Sequence, residues 1–480
     1  MIATRDAGSE FVVRSFRDPA GTVFRHNKRI LRTVNADATA GLEEFFATRL
    51  AREAMESGAL VRSARIPAGD LPDLAFSSGY VLEHERIPFP NYPYEWPPEM
   101  LHAAGELTIE LARRALQEGF GLKDATPYNL MFRGVRPVFI DVLSFERREL
   151  LEATWMAYAQ YVRTFLLPLL ANRSFGLPPG YILSGHRDGL EPETMYRWAG
   201  FWRRLTPQFL QIVTLPTWLG RRRNDDVSLY RCKAAASREQ AKFILDGILK
   251  SCRRRLAAVE PEARRGDSTW SAYLDRKSIY TPEQLERKEA FVSDALELAK
   301  PRSVLDVGAN EGHFSFLAAK QGASVVAIDS DSVVAGSIWR RASRAGLDVL
   351  PLVVDITRPT PALGWRNQEC ESFLERARGG FHMVMMLAVA HHMLVTERIP
   401  LDDLLDLACE LTQEYVLLEF VAPEDPMFQR IVRGRERLYS HLTTARFEAA
   451  ATSRFDLVRS LRIDGLHRWL YLFRRRRVTN

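Results

Sequence analysis

The chain has 480 residues, 46% of them apolar and 26% charged, with a formal net charge of +6 at pH 7. That length exceeds one ordinary domain, the composition is that of a globular protein, and the charge is too mild for a dedicated nucleic-acid binder. Four scattered cysteines (Cys232, Cys252, Cys370 and Cys409) contain no CxxC pair, which speaks against a structural zinc site or a disulfide framework and fits a reducing, cytoplasmic setting. Met1 to Arg17 carries charge throughout and lacks the apolar core of a signal peptide. The apolar run Phe165–Leu170 is too short to span a bilayer.

In chain order, Phe16 to Val34 predicts a hairpin turning at Asp18-Pro-Ala-Gly21, and Leu42 to Ser57 has the spacing of one helix carrying Glu53 and Glu56. Gly79 to Arg86 reads as a strand. Pro88 to Pro98 reads as a loop that packs through Phe89, Tyr92, Tyr94 and Trp96, and Glu99 to Glu118 as an amphipathic helix. Next comes Gly121-Leu-Lys-Asp-Ala-Thr-Pro-Tyr-Asn129, and then the short apolar strand Pro137-Val-Phe-Ile ending in Asp141. Asp124 and Asn129 are spaced D-x4-N, with Asp141 12 residues further on: a base, an amide metal ligand and a carboxylate metal ligand on adjacent short elements.

This order resembles the core of protein kinases and aminoglycoside-phosphotransferase-like enzymes. The resemblance implies an α+β kinase-like domain with a helical second lobe and, if phosphotransfer is retained, a Mg-ATP site at Asp124, Asn129 and Asp141. Leu122 stands where that family carries histidine, and no glycine-rich phosphate loop precedes a strand lysine; Lys28 is the nearest candidate, with Glu53 as its helix partner. The plainer reading is that Asp124 and Asn129 cap a turn and Asp141 ends a strand. Trp155–Leu170, Glu193–Leu205 and Arg238–Val259 have helical period, with basic clusters at Arg221–Asn224 and Arg253–Arg255 that read first as solvated faces. The polar segment Glu260–Asp267 breaks the pattern, dividing the chain into domains 1–262 and 268–480.

Ser303-Val-Leu-Asp-Val-Gly-Ala-Asn-Glu-Gly-His-Phe-Ser315 organises the second domain. A buried-strand run enters a loop crowded by Gly308, Asn310 and Gly312 and then a helix, a geometry that brings backbone amides against a nucleotide-like ligand. A second strand ends in Asp329, 17 residues after Gly312, where such folds place an acid on ribose hydroxyls. A third strand ends in Asp355, a fourth runs through Met386-Leu387 into His391-His392, and Tyr415–Phe420 forms a fifth. The final pair, Phe455–Ile463 and His467–Phe473, reads as an antiparallel edge.

The acid followed by a glycine-bearing loop resembles the Rossmann-like (class I) methyltransferases that use S-adenosylmethionine (SAM), over about residues 268–480. The resemblance implies an α/β fold with a mostly parallel seven-stranded sheet. It implies SAM as cofactor, with Asp306, Gly308, Asn310 and Gly312 beside its methionine part, Asp329 at the ribose, Ser330 beside it over the adenine, and Asp355 and Ile356 bordering the adenine. Leu387 closes the pocket, and in the lead-in segment with Tyr273, Tyr280 and Lys288 an aromatic or basic residue touches the carboxylate end; in the plainer reading the two tyrosines pack in the core. His391, His392 and Glu419 are the candidates for catalysis, since methylating a neutral oxygen or nitrogen needs a proton removed. One histidine can equally hold the loop. The arrangement is similar to bacterial methyltransferases associated with nodulation and surface polysaccharides, which implies a small-molecule, glycan or glycolipid acceptor. A bifunctional kinase-methyltransferase, and an RNA-modifying or RNA-binding protein using the arginine clusters, stand as alternatives. Arg474–Arg477 reads as a solvated terminus.

Overall fold

The structure, a computed structural model, describes residues 3–4, 12–13, 17–67, 74–75, 80–220, 234–262 and 280–476. Phe16, Gly79, the cluster Arg221–Asn224, Cys232, Tyr273 with the first part of its lead-in segment, and Arg477 lie outside the described residues. Two compact units are present: Met1–Glu262 with Leu363–Cys370, and Ala263–Ala362 with Glu371–Asn480.

The first unit holds a five-stranded antiparallel sheet. Its strands are β1 (Val12–Val13), β2 (Gly21–His26), β3 (Arg29–Val34), β4 (Ser63–Ile66) and β5 (Val81–His84), in the order β1-β2-β3-β5-β4. Alternation buries Phe24 and Leu31 on one face. The β2–β3 reversal is not the expected Asp18–Gly21 turn, which only precedes the hairpin. It is made by Asn27 and Lys28, with φ of +48° and +66°, between paired His26 and Arg29. Two successive positive φ values match the twist of a tight hairpin. Lys28 therefore stands exposed at the tip, while Arg32 of β3 is buried.

The expected single helix over Leu42–Ser57 is two, α1 (Ala36–Phe46) and α2 (Arg49–Ser57), because the Thr48 side chain accepts from Ala51 N and caps a new start. The loop aromatics Phe89, Tyr92, Tyr94 and Trp96 are buried above α3 (Pro98–Gln117). Two short hairpin pairs follow: β6 (Phe120–Leu122) with β9 (Phe145–Arg147), and β7 (Leu130–Arg133) with β8 (Arg136–Phe139). Beyond them the chain is helical: α4 (Leu167–Phe175), α5 (Pro192–Trp198), α6 (Phe201–Arg204), α7 (Leu215–Gly220) and α8 (Arg238–Ala258). The single run expected over Glu193–Leu205 is broken by Ala199 and Gly200 into α5 and α6.

The second unit is a seven-stranded mixed sheet. A capped helix, α9 (Pro282–Ala299), leads into β10 (Ser303–Val307), α10 (His313–Lys320), β11 (Ser324–Asp329), α11 (Ser332–Ala345) and β12 (Val349–Val353). Then come β13 (Phe381–Met386), α12 (Ala390–Val395), α13 (Leu401–Leu411), β14 (Thr412–Val421), β15 (Phe455–Arg462) and β16 (Arg468–Arg475). The sheet order is β12-β11-β10-β13-β14-β16-β15, the first five parallel and β16 antiparallel to both its neighbours. Because β10 pairs on both edges, Val304, Leu305 and Val307 are fully shielded, which is why its sequence runs apolar without alternation. The chain leaves β10 toward β12 and returns to its other edge at β13, so a crevice opens past the carboxyl ends of β10 and β13.

Candidate functional site

The loop after β10 turns under the carboxyl end of the sheet. Gly308, Asn310 and Gly312 have φ of +69°, +48° and +78°. The positive φ favours glycine at 308 and 312, and the space is tight as well: a Cβ on Gly308 would meet Val389 at 3.0 Å and one on Gly312 would meet Ile338 at 3.0 Å. The loop is tied to β11: Gly308 N and Ala309 N donate to Ile328 O, and Asn310 N donates to Asp329 Oδ2 at 2.9 Å. Asp329 Oδ1 accepts from Asp331 N at 2.9 Å. Burial raises the Asp329 carboxyl above its ordinary value. Asn310 Oδ1 is buried with no partner among the described residues.

Asp306 is buried in β10 and accepts from Ser315 Oγ at 2.5 Å. Burial lifts its pKa from 3.8 to about 6, against the Ser315 bond and with Asp329 adding to the rise. A carboxyl raised in the folded state favours folding below its ordinary pKa and loses that contribution as pH rises through about 6. Asp306→Asn is therefore expected to stabilise the second unit by about 2–3 kcal/mol at pH 8 and by little at pH 4. Urea unfolding at both pH values checks this, and destabilisation at pH 8 would contradict it.

At the end of β11, Ser330 is exposed. Asp355, after β12, accepts from Thr357 N and Oγ1 at 2.9 and 2.6 Å and from Arg358 Nε at 3.2 Å. Burial would raise Asp355, but these donors hold it below the ordinary carboxylate range. Ile356 and Leu387 are buried. Ala388 follows at φ +58°, a left-handed conformation costly for alanine, of the kind that clusters at functional sites.

His391 and His392 begin α12 with ring centroids 4.3 Å apart. His391 is 1% exposed, and neither of its ring nitrogens has a hydrogen-bond partner among the described residues. Burial, then the charges of His392, Arg468 and Lys288, push its pKa well below the ordinary histidine value. Burial and Arg468 lower His392.

Below them lies a buried ionic network. Lys288 Nζ donates to Glu419 Oε2 at 2.6 Å, and Tyr280 OH donates to Glu419 Oε1. Arg468 donates to Tyr280 OH at 2.6 Å and to Glu419 Oε1 at 3.4 Å, and forks onto Asp425 at 2.8 and 3.1 Å. Burial would raise Glu419, but Lys288 and Arg468 hold it low, while burial and Glu419 push Tyr280 well above its ordinary value. Sequence reasoning missed Arg468 and Asp425. Asp425-Pro426 reads as a helix start, and Asp425 does cap Met427 N, so its second task leaves no separate signal.

In the first unit, Asp141 is paired with a guanidinium and linked through Ser144 to Asn129, and its charge acts on Asp124. Arg32 Nη1 pairs with Asp141 Oδ1 at 2.5 Å, Ser144 Oγ donates to Asp141 Oδ2 at 2.6 Å, and Asn129 Nδ2 donates to Ser144 Oγ at 3.2 Å. Asp124 is raised by burial and then by Asp141. Glu53 pairs with Arg49 and Arg114 at 2.5 and 2.6 Å rather than with Lys28. Among the described residues no group of three or more His, Cys, Asp or Glu is placed to hold a metal ion. Of the basic clusters, Arg253 pairs with Glu106 at 3.7 Å and Arg255 donates to Tyr158 OH at 2.6 Å. Arg474 and Arg476 pair with Glu414 and Asp456 at 2.7 Å each, so the described part of the C-terminal arginine run is tied down.

No protein-family model matches the chain. The nodulation protein NoeA of Rhizobium meliloti (strain 1021) is 29% identical over 466 residues, covering 97% of this chain and 96% of NoeA. The solved N-methyltransferase NodS of Bradyrhizobium japonicum WM9 aligns with 41% of this chain and 98% of its own at 12% identity, with a TM-score of 0.31. The magnesium protoporphyrin IX methyltransferase ChlM of Synechocystis PCC 6803 aligns with 43% of this chain and 92% of its own at 15% identity, also at 0.31. The likeness to NoeA thus runs nearly end to end through both units, at an identity that leaves the chemistry to the residues themselves.

Proposed function

We propose that the second unit transfers a methyl group from SAM to a small-molecule, glycan or glycolipid acceptor, and that the first unit is a kinase-like domain aiding acceptor or partner recognition. The observation that carries the reading is the cradle after β10. Two glycines at positive φ have only tight space for a side chain, Asn310 Oδ1 is a buried acceptor with no partner among the described residues, and the Asp329 carboxylate closes the loop from the next strand. The near full-length likeness to a nodulation protein supports a place for this activity in nodulation.

When bound, SAM supplies an electrophilic methyl group on a sulfonium centre. Gly308, Asn310 and Gly312 would let the main chain approach it, Asp329 would accept from its ribose hydroxyls, and Ser330, Asp355 and Ile356 would border its adenine. Asp306, Tyr280 and Lys288 would face its methionine end, with Leu387 closing the wall. His391 is held neutral by burial and nearby positive charge, which keeps a ring lone pair available to an acceptor hydroxyl or amine while making the imidazolium costly to form. Glu419 has both oxygens engaged by Lys288, Tyr280 and Arg468, so it serves better as a positioning residue than as a base.

The β1-β2-β3-β5-β4 sheet followed by the Asp124–Asn129 loop supports the kinase-like reading of the first unit. The Arg32–Asp141 pair counts against phosphotransfer, because the carboxylate a magnesium ion would need is already neutralised. Calorimetric titration tests both halves. SAM is expected to bind the wild type and to bind Asp329→Asn at least about tenfold more weakly, through loss of a charge-assisted acceptor. Mg-ATP is expected to give no heat. A wild type silent toward SAM would end the methyltransferase reading, and magnesium-dependent ATP binding lost in Asp141→Ala would restore phosphotransfer.

A further inference from the structure

The first unit leaves bulky apolar side chains in water within one short stretch of chain. Trp198, Phe201 and Trp202 are 48%, 65% and 80% exposed, and Leu205, Trp218 and Leu219 are exposed with them. Lone exposed apolar residues are ordinary, but a cluster of this size is not. Contacts tie α4, α5 and α7 to one another, and α6 follows α5 after two residues. Trp218 Nε1 of α7 donates to Tyr196 OH of α5 at 3.2 Å, and Phe175 of α4 meets Trp198 edge-on at 6.3 Å. Phe201 and Trp202 of α6 lie edge-to-face at 5.3 Å.

Arginines are interleaved with these rings, and Arg197, Arg203 and Arg204 make no ion pair among the described residues. Arg197 donates to Thr194 Oγ1, Arg203 to Ser174 O, and Arg204 to Tyr196 O, all neutral acceptors. Arg203 also lies over the Phe175 ring at 4.9 Å and Arg204 over the Tyr196 ring at 4.0 Å. The acids on these elements are Glu191, which pairs with Arg163 at 2.8 Å, and Glu193. Proline at the start of α5, after Thr206 and inside α7 keeps the helices short, so the face is a set of brief segments and not a span. No helix among the described residues is long and apolar enough to cross a membrane.

We propose that this face seats the protein on an anionic lipid bilayer, with Trp198, Phe201, Trp202, Trp218 and Leu219 entering the headgroup–acyl boundary and Arg197, Arg203 and Arg204 meeting lipid phosphates. Indole and phenyl rings favour that boundary because one edge is apolar and the other wet, and uncompensated guanidinium groups beside them select a negative surface. A protein partner of equal apolarity would have to bring carboxylates to three dispersed arginines. A bilayer supplies phosphates anywhere along its plane. The proposal is independent of the methyl-transfer reading, since none of these residues belongs to the cofactor site.

Vesicle flotation of the full chain tests it, with phosphatidylcholine alone and with phosphatidylcholine containing phosphatidylglycerol. The wild type is expected to float with the anionic vesicles and to be released as salt rises. The double variant Phe201→Ser with Trp202→Ser is expected to lower the partition coefficient at least about tenfold. Arg203→Gln with Arg204→Gln is expected to lower it about fivefold per arginine and to flatten the salt dependence. The substituted rings are exposed, so thermal midpoints are expected to stay unchanged and to confirm that the variants fold. No flotation with anionic vesicles, equal flotation with both vesicle types, or flotation indifferent to the variants would overturn the proposal. So would a lipid-free dimer that the Phe201→Ser and Trp202→Ser substitutions dissociate, since the face would then belong to a second copy of the chain.

Discussion

Replacing His391 with glutamine is expected to slow methyl transfer by about 10²–10⁴-fold while leaving SAM affinity unchanged, the range lost when a positioned base is removed. The expectation rests on an imidazole that is almost wholly buried and makes no hydrogen bond on either nitrogen among the described residues. An unsatisfied buried polar ring costs stability, so its presence points to a use outside the folded state's own bonding. Its pKa is pushed well below the ordinary value, so the neutral, proton-accepting form persists into mild acid. The wild-type rate is therefore expected to hold level as pH falls below about 6.5, where an exposed histidine base would begin to fail. Stability behaves in the matching sense: a depressed base contributes stability above its unfolded pKa and loses it as pH falls below that value. S-adenosylhomocysteine release across pH, with an acceptor found by screening hydroxyl- and amine-bearing sugars, reads both effects. An inflection that disappears in His392→Gln but not in His391→Gln would assign the proton to the neighbouring ring, whose pKa burial and Arg468 also lower.

Arg468→Met is expected to destabilise the second unit by about 3–5 kcal/mol, the cost of leaving buried charge without its partner. Arg468 and both acids it serves are fully shielded from solvent. Removing the guanidinium leaves Asp425 with only the backbone N–H of its cap, and leaves Glu419 to Lys288 and Tyr280. Combining it with Asp425→Asn is expected to recover part of the loss, because the uncompensated carboxylate goes with its cation. Urea unfolding of the two single variants and the double gives the coupling directly. A loss below about 1 kcal/mol in Arg468→Met would mean that water reaches the site and takes over the arginine's bonds.

What could be read from the chain divides along the range of the interactions involved. The cradle was legible because its parts are local: a strand, two glycines and an acid at the next strand's end lie within one stretch. The ionic network was only half legible. Tyr280, Lys288 and Glu419 carry motif-level reasons to be noticed, but Arg468 faces inward only because β16 pairs with β14 in one register. The first-unit errors have local causes. Asn27-Lys28 is a weak turn signal because lysine seldom takes positive φ, so the proline- and glycine-bearing Asp18–Gly21 outweighed it. Thr48 looked like one more residue of a periodic run until its side chain was seen capping α2. Arg32 escaped notice because a search for a phosphate-binding lysine passes over an arginine that neutralises Asp141 instead.

The strand order also fixes when the site can exist during synthesis. β16 is not an edge strand: it lies between β14 and β15, the two strands translated before it. A nascent chain can lay down the five parallel strands early, but β14 keeps an open edge and β15 has no partner until residue 475 has cleared the ribosome. Over that interval Glu419 and Asp425 have no guanidinium, and the loops below the histidines rest on an unfinished floor. The loop after β10 can thus take shape early in translation, and the Arg468 network only late. The network around Glu419 and Asp425 is therefore among the last parts of the second unit to close, because its guanidinium arrives on the strand that completes the sheet.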